Sequence, residues 1–432
     1  MRVAILGFDT EGRVSFEYYR SHGHEVTICD QKTDIGVPEG VDTQLGEGYL
    51  DNLDRFDLLI RTPGMHPSTI LEKNPGVADK IWSGTNEFLK VSPSRNIIGV
   101  TGTKGKGTTS TLITKILEAA GKTVHLAGNI GRAALDVLPE VKPDDWVVLE
   151  LSNFQLIDLK SSPHLAVCLL VVSEHLDWHK DEQEYQSAKT NLFRYQNSDD
   201  VAIYYAKNPN SEVIASAGSG ALIPYFAAPG ALVEDGLIRI ADQDICRTDD
   251  LKLLGEHNWQ NACAAVTTVW QITQDLDAIR SVLTSFSGLP HRIEFVREKE
   301  GVRFYNDSFA TGLHATEAAL SAVPKPIVAI IGGFDRMLPL EHFAEFVRNL
   351  EGLKRIVLVG ASAERVQAAL DKAGFANYTI SDAKDMQQIV ADVLQVAEPG
   401  DSVLFSPGFA SFDMFKNFSD RGDQFRAHVQ AL

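Results

Sequence analysis

The stretch "NIIGVTGTKGKGTTSTLITKIL", Asn96 to Leu117, reads as an apolar strand, a glycine- and threonine-rich turn carrying two lysines, and an amphipathic helix. A strand that enters a helix through such a turn aims backbone N–H groups and the positive helix end at one point, which suits phosphate. The usual phosphate loop is GxxxxGK[ST], in which the lysine reaches the outer phosphate and the hydroxyl holds Mg²⁺. Here the register is Gly102, Thr103, Lys104, Gly105, Lys106, Gly107, Thr108, so a glycine separates the lysine from the first hydroxyl. Lys106 is therefore the candidate for the outer phosphates of ATP. Thr108 is the candidate Mg²⁺ hydroxyl, or Thr109 if Gly107 shifts the register. The plain alternative is a glycine-rich turn that binds nothing.

Working outward, 432 residues are too many for one core. The expected fold class is α/β with three domains. Residues 1–92 form a Rossmann-like domain, 93–288 a central P-loop ATPase-type domain built on a parallel sheet, and 289–432 a second Rossmann-like domain. The first opens with "RVAILGFDTEGRVSFEYYRSHGHEVTICD", a strand–turn–helix–strand unit ending at Asp30. Its Gly7 and Gly12 do not complete GxGxxG. "FDLLIRTPGMHP" repeats the logic, with a strand at 56–60. The polar stretch "KVSPSRN" marks the first boundary and "SGLPHR" the second. Between them, "TVHLA", "DWVVLEL" and "LAVCLLVV" alternate with helical segments, as a parallel sheet covered on both faces requires. "ASAGSGALIPYFAAPGAL" is expected to form a loop and a short hairpin.

A net charge of −18 disfavours nucleic acid as a partner but leaves room for basic pockets that hold small anions. Cys29, Cys168, Cys246 and Cys263 form no CxxC pair, so neither a disulfide framework nor a zinc knuckle is indicated, and a reducing cytoplasm fits. "MRVAILGF" lacks the apolar core of a signal peptide, and "LAVCLLVV" is too short to span a bilayer, so no membrane association is expected.

The GT-x-GK spelling resembles the Mur ligase superfamily, whose members join a carboxylate to an amino acid at the expense of ATP. Gly107 is similar to the GKGS version in folylpolyglutamate synthases of the same superfamily. "GNIG", "ELSNFQL", "EHLDWH", "EYQSAK", "GEHNWQNACAA", "LPHRIE" and "YNDSFAT" follow in that family's order. The tail "SPGFASFDMFKNFSDRGDQF" resembles the MurD-type branch, which adds D-glutamate to UDP-N-acetylmuramoyl-L-alanine in peptidoglycan precursor synthesis.

Amide formation needs an activated carboxylate, because carboxylate oxygen is a poor leaving group. An acyl phosphate made from ATP supplies the activation, and the site then needs cations and N–H groups converging on the phosphoryl and carboxyl oxygens. Glu150, ending the strand "DWVVLE", is a hard oxygen donor suited to Mg²⁺. The resemblance implies that His175 is a second Mg²⁺ ligand, and that Lys189 is carbamylated by CO₂ and becomes an anion beside the metal. Read without that resemblance, Lys189 is a helix-surface charge. His175 and His179 are four apart, but with no third histidine or cysteine nearby zinc is not expected, and His179 has no assigned role.

The resemblance further implies Asn258 and Asn261 at the adenine, and Arg292 and Asp307 at the ATP phosphates and ribose across two domains. Gly7, Gly12 and Asp30 are candidates for the uridine diphosphate, and Asn129 and Ser152 for the region near the reacting carboxylate. Thr311, Arg336, Ser411 and the backbone N–H of Phe418 are implied for glutamate. The chain departs from the family where NDSKAT reads "NDSFAT", with Phe309 in the lysine position, and where GGxxK reads "GGFDR", with Arg336. Those changes leave L-glutamate open as the acceptor. The rivals are a folylpolyglutamate-synthase-like ligase and a nonenzymatic nucleotide-binding subunit. The expected protein is a cytoplasmic monomer.

Overall fold

The computed structural model describes residues 1–175, 178–253 and 255–432. The chain divides into two compact units, Met1–Leu251 with Glu256–Ser285, and Lys252–Gly255 with Phe286–Leu432. The expected boundary near "SGLPHR" thus lies close to a division between units. The expected boundary at "KVSPSRN" falls inside the first unit, between two sheets.

The first sheet of unit one contains β1 (Arg2–Leu6), β2 (Glu25–Asp30), β3 (Asp42–Leu45), β4 (Leu58–Arg61) and β5 (Ile81–Trp82), in the order β3-β2-β1-β4-β5. All its pairings are parallel. The order reverses between β1 and β4, so the crevice beyond their carboxyl ends is where such sheets bind ligands. Gly7 and Thr62 stand there.

The second sheet comprises β6 (Ile97–Thr101), β7 (Val124–Gly128), β8 (Trp146–Glu150), β9 (Leu165–Cys168), β10 (Val201–Tyr205) and β11 (Ala221–Tyr225), ordered β11-β10-β9-β6-β8-β7 and entirely parallel. Every residue of β6 is buried, and the helix Lys106–Ala119 that follows it buries Leu112, Ile113, Ile116 and Leu117. Each of those side chains contributes roughly 1.5–3 kcal/mol by leaving water. "ALIPY" is not part of a hairpin: it is β11, a parallel edge strand beside β10. Pro224 is tolerated there because an edge strand has one side free of the ladder. The hairpin comes later, in the small antiparallel sheet of β12 (Leu232–Glu234), β13 (Leu237–Ile240) and β14 (Gln243–Arg247).

Unit two holds one sheet of β15 (Glu294–Lys299), β16 (Val302–Asn306), β17 (Ile327–Gly332), β18 (Leu353–Val359), β19 (Tyr378–Ile380) and β20 (Ser402–Phe405), ordered β15-β16-β20-β17-β18-β19. Only β15 and β16 are antiparallel. The four cysteines are buried and free. Among the described residues no helix is long and apolar enough to cross a membrane.

Candidate active site

The turn after β6 is built around two glycines with positive φ, Gly102 at 144° and Gly105 at 89°. A Cβ on Gly105 would lie 2.2 Å from Asn261 Oδ1, so only glycine lets the helix Glu256–Trp270 approach the loop this closely. Asn261 also accepts a bond from Thr109 Oγ1 at 3.4 Å and donates to Asn258 Oδ1 at 3.0 Å. Thr109 is therefore buried and turned toward that helix, which leaves Thr108 as the nearer match to a loop hydroxyl. Thr103 is committed to structure, bonded to Val172 O and to the Tyr185 hydroxyl. Lys104 is solvent-exposed and pairs with Glu174.

Lys106 and Lys189 converge. Lys106 Nζ donates to Gly102 O at 3.0 Å and Thr103 O at 3.2 Å, and Lys189 Nζ donates to the same Gly102 carbonyl at 3.2 Å. Lys189 lies on the helix Glu182–Arg194, whose buried face carries Tyr185, Ala188, Lys189, Leu192 and Phe193. That helix packs tightly because β6 has Gly99, where a Cβ would come within 2.8 Å of Leu192. Lys189 is 1% exposed, so it is not a surface charge. Burial, and secondarily the neighbouring Lys106, lower its pKa to about 7.

Glu150 ends β8, buried, and accepts from Asn129 Nδ2 at 2.8 Å, so these two candidates touch. Ser152 begins the short helix Asn153–Leu156 as its capping residue, in a reciprocal box with Gln155. Gln155 in turn donates to Glu11 Oε1 at 2.7 Å. Burial raises Glu11 to about 7, outweighing that bond. Glu11 is on the helix after the Gly7 turn, so this chain of bonds links the crevice of the first sheet to Ser152.

His175 has φ of 59°, faces the Phe154 ring at 4.9 Å and lies 3.8 Å from Glu174 Oε2. Leu176 and Asp177 of "EHLDWH" lie outside the described residues. His179 is buried and its Nδ1 lies 3.3 Å from Glu184, as does His66 Nε2. His66 Nδ1 accepts from the Ser68 N–H, so its proton sits on Nε2 and points at Glu184. A third histidine therefore does stand beside His179, which the HisxxxHis reading did not expect: the ligand atoms of His66, His179 and Glu184 all lie within 4.8 Å of one another, a grouping that could hold a metal ion.

At the first sheet, Gly7, Asp30, Thr62, His66 and Trp178 line a cleft of ≈ 1030 Å³. A Cβ on Gly7 would meet Thr62 Oγ1 at 2.3 Å, and one on Gly12 would meet Gly7 O at 2.1 Å, so both glycines serve close packing. Asp30 accepts from the Phe8 and Lys32 N–H groups at 2.7 and 2.8 Å, which organises the loops around the cleft. Arg13 and Lys32 bring positive charge to its wall. The sequence reading did not single them out, although an arginine directly after Gly12 was a signal. Arg61 was missed as well. It is buried and binds Asp158 through two nitrogens at 2.6 and 2.7 Å.

In unit two, Asp307 is buried, accepting from Ser406 Oγ at 2.6 Å and the Ile293 N–H at 3.1 Å. Burial raises it to about 7 despite these bonds. Arg292 lies over the Phe309 ring at 4.5 Å, and Phe309 meets Phe418 edge-on at 5.1 Å. Phe418 is the first residue of the helix Phe418–Gln430. Ser411 is buried, Thr311 is half-buried, and Arg336 lies 5.9 Å from the Phe412 ring.

Asp307 supports a prediction. Its folded pKa lies above the unfolded value, so the folded state binds the extra proton between about pH 4 and 7. Its contribution is complete below that window and lost as pH rises through about 7. Asp307→Asn cannot ionise, so it should melt higher than wild type at pH 8, with the difference shrinking as pH falls and vanishing only at about pH 4 and below. A variant that melts lower at both pH values would show that the carboxylate is stabilising in place.

Two family models match the chain: "Mur ligase middle domain" over residues 100–269 and "Mur ligase, glutamate ligase domain" over 291–409. The chain is 36% identical to the curated UDP-N-acetylmuramoylalanine–D-glutamate ligase of Acetivibrio thermocellus, over 100% of this chain and 96% of that one. It is 34% identical to the enzyme of the same name from Clostridium tetani, over 100% and 97%. The chain belongs to the Mur ligase family. Among solved structures this Mur ligase resembles MurF from Acinetobacter baumannii, with a TM-score of 0.62 and 17% identity over 99% and 93% of the two chains. That likeness concerns the fold. The matched middle-domain segment starts within β6 and ends in the Asn261 helix, so it contains Lys106, Glu150, His175 and Lys189.

Proposed function

We propose that the chain is an ATP-dependent ligase that joins UDP-N-acetylmuramoyl-L-alanine to D-glutamate. The observation that carries this reading is the full-length kinship with curated D-glutamate ligases, 36% identity with no part of this chain left over. The geometry agrees with it. A carboxylate oxygen of the UDP-sugar substrate attacks the γ-phosphorus of ATP, and ADP leaves with the electron pair of the broken P–O bond. The amine of glutamate then attacks the acyl carbon, phosphate leaves with the C–O pair, and the amine gives up its proton.

In this reading the chain has three functional parts: residues 1–92 for the UDP moiety, 93–288 for ATP, and 289–432 for glutamate and part of the nucleotide. Gly102 to Thr109 wrap the phosphates and Lys106 neutralises the outermost one. Asn258 and Asn261 take the adenine, Arg292 and Asp307 the remaining nucleotide contacts. Gly7, Gly12 and Asp30 shape the uridine diphosphate cleft, with Arg13 and Lys32 supplying charge. Asn129 and Ser152 face the reacting carboxylate, and Thr311, Arg336, Ser411 and the Phe418 N–H receive glutamate.

The donor set fits Mg²⁺: a buried carboxylate on Glu150, a loop hydroxyl on Thr108, an imidazole on His175, and a lysine whose amine is half neutral near pH 7 and so open to carbamylation. When bound, Mg²⁺ would offset the charge shared by the phosphoryl and carboxyl oxygens.

The test is mass spectrometry of the product from UDP-N-acetylmuramoyl-L-alanine, ATP and Mg²⁺, with D- and L-glutamate supplied separately. Product with D-glutamate alone is expected. Product with L-glutamate alone would overturn the acceptor and point to Phe309 and Arg336 as the cause. No product with either would overturn the reaction.

A further inference from the structure

Phe309 stands where the family has a lysine, and the function proposed above gives it no task. Its surroundings suggest one. The backbone on either side of Arg292 is fixed: the Ile293 N–H donates to Asp307 Oδ1 at 3.1 Å, and the Phe309 N–H donates to His291 O at 2.9 Å. His291 and Ile293 both have positive φ, 62° and 46°, a conformation these contacts must hold in place. The Arg292 Cα is therefore anchored, but its side chain is exposed. An exposed arginine has many rotamers and loses that freedom when it grips an anion.

The Phe309 ring removes part of that freedom in advance. The Arg292 guanidinium carbon lies 4.5 Å from its centroid, within cation–π range. The ring is itself held by Phe418, edge to face at 5.1 Å and 88°. Phe418 is fixed in turn by Ser308 Oγ, which donates to its carbonyl at 2.8 Å, and the buried Arg421 donates to the same Ser308 oxygen at 3.0 Å. A lysine at 309 would set a second cation beside Arg292. A phenylalanine sets an attractive face there, and joins the arginine to the start of the helix that carries the Phe418 N–H.

We propose that Phe309 is a positioning residue: an aromatic platform that restricts the Arg292 guanidinium before it makes the nucleotide contact assigned to it above, and that ties this arginine to the start of the Phe418–Gln430 helix. The proposal rests on the reading that Arg292 contacts ATP.

The test is ATP affinity of the full chain with Mg²⁺, measured by calorimetry without the UDP-sugar, for wild type, F309L, F309Y, R292A and F309L/R292A. F309L keeps an apolar side chain in contact with Phe418 but has no π face, so it should weaken ATP binding about two- to fivefold, the scale of an exposed cation–π contact, whereas F309Y should match wild type. In the R292A background, F309L should add no measurable loss, because the ring acts through the guanidinium. The proposal is overturned if F309L binds ATP as wild type does, if F309Y fails to preserve affinity, or if the F309L loss persists in full without Arg292. F309A repeats the comparison should F309L misfold, and the retained melting temperature of F309Y shows that the fold tolerates an altered ring. A wild type that binds ATP but makes no product leaves this test readable and overturns only the ligase reaction. A wild type that does not bind ATP overturns both.

Discussion

Lys189→Met is expected to reduce ligation about 10²–10³-fold, the scale of losing one preorganised charge at a reacting centre, in a protein that still folds. The fold should survive because the lysine is 1% exposed and methionine fills similar space without a charge to bury. The pH dependence carries the sharper information. Lys189 is held at about 7 in the folded state, against an ordinary value near 10.5. Between those values the unfolded chain binds more protons than the folded one, so the stability associated with this group rises with pH across that window. The variant lacks the term. It should melt higher than wild type at pH 6, and the gap should close toward pH 10. If Lys189 is carbamylated as proposed, wild-type activity should depend on dissolved CO₂, and the CO₂ required should rise about a hundredfold for each pH unit below 7, one factor of ten for deprotonating the ammonium and one for the proton released as the amine and CO₂ form the carbamate anion. A ¹³C signal for a lysine carbamate, and its absence from the variant, would identify the adduct. Wild-type activity indifferent to CO₂ would show that Lys189 works as an amine.

What the chain discloses without its structure depends on the range of the forces involved. The phosphate loop was legible because its chemistry is local: Gly102, Gly105 and Lys106 are neighbours, and backbone conformation dictates the glycines. The parallel sheets were legible because buried strands are continuously apolar, as β6, β8 and β9 are. "ALIPY" was misread because the proline and small residues around it look like a turn, while its pairing with β10 is a tertiary event. Lys189 could be placed only by resemblance. Its burial follows from Tyr185, Ala188 and Leu192 sharing its helix face and from Gly99 in a distant strand, and no single segment contains all of these. That Thr109 is engaged by Asn261, 152 residues further along the chain, was likewise invisible in the local sequence.

Arg61 is the largest omission, and it has the largest expected structural effect. It follows an apolar strand in "DLLIRTP", where a charge looks like the solvated end of β4, yet its side chain is 0% exposed. It makes five hydrogen bonds: two to the Asp158 carboxylate and one each to the carbonyls of Thr62, Met65 and Phe154. Those partners belong to the loop after β4 and to the segment around the Ser152-capped helix, so one guanidinium fixes a wall of the cleft against that helix. Arg61→Met should cost about 3–5 kcal/mol, because Asp158 and three carbonyls lose their donor together. Chemical denaturation would show this as a lower midpoint. Arg61→Met combined with Asp158→Leu should recover much of the loss, since the penalty comes from the stranded charge rather than from an attraction forgone. In the single variant the KM for the UDP-sugar substrate should rise while ATP affinity is kept, because the phosphate loop is held by other bonds. A loss under about 1 kcal/mol would place the pair with exposed ion pairs and would mean that water reaches Asp158 once the arginine is gone. A double variant no better than the single would instead make the three carbonyl bonds, and not the carboxylate, the source of the cost.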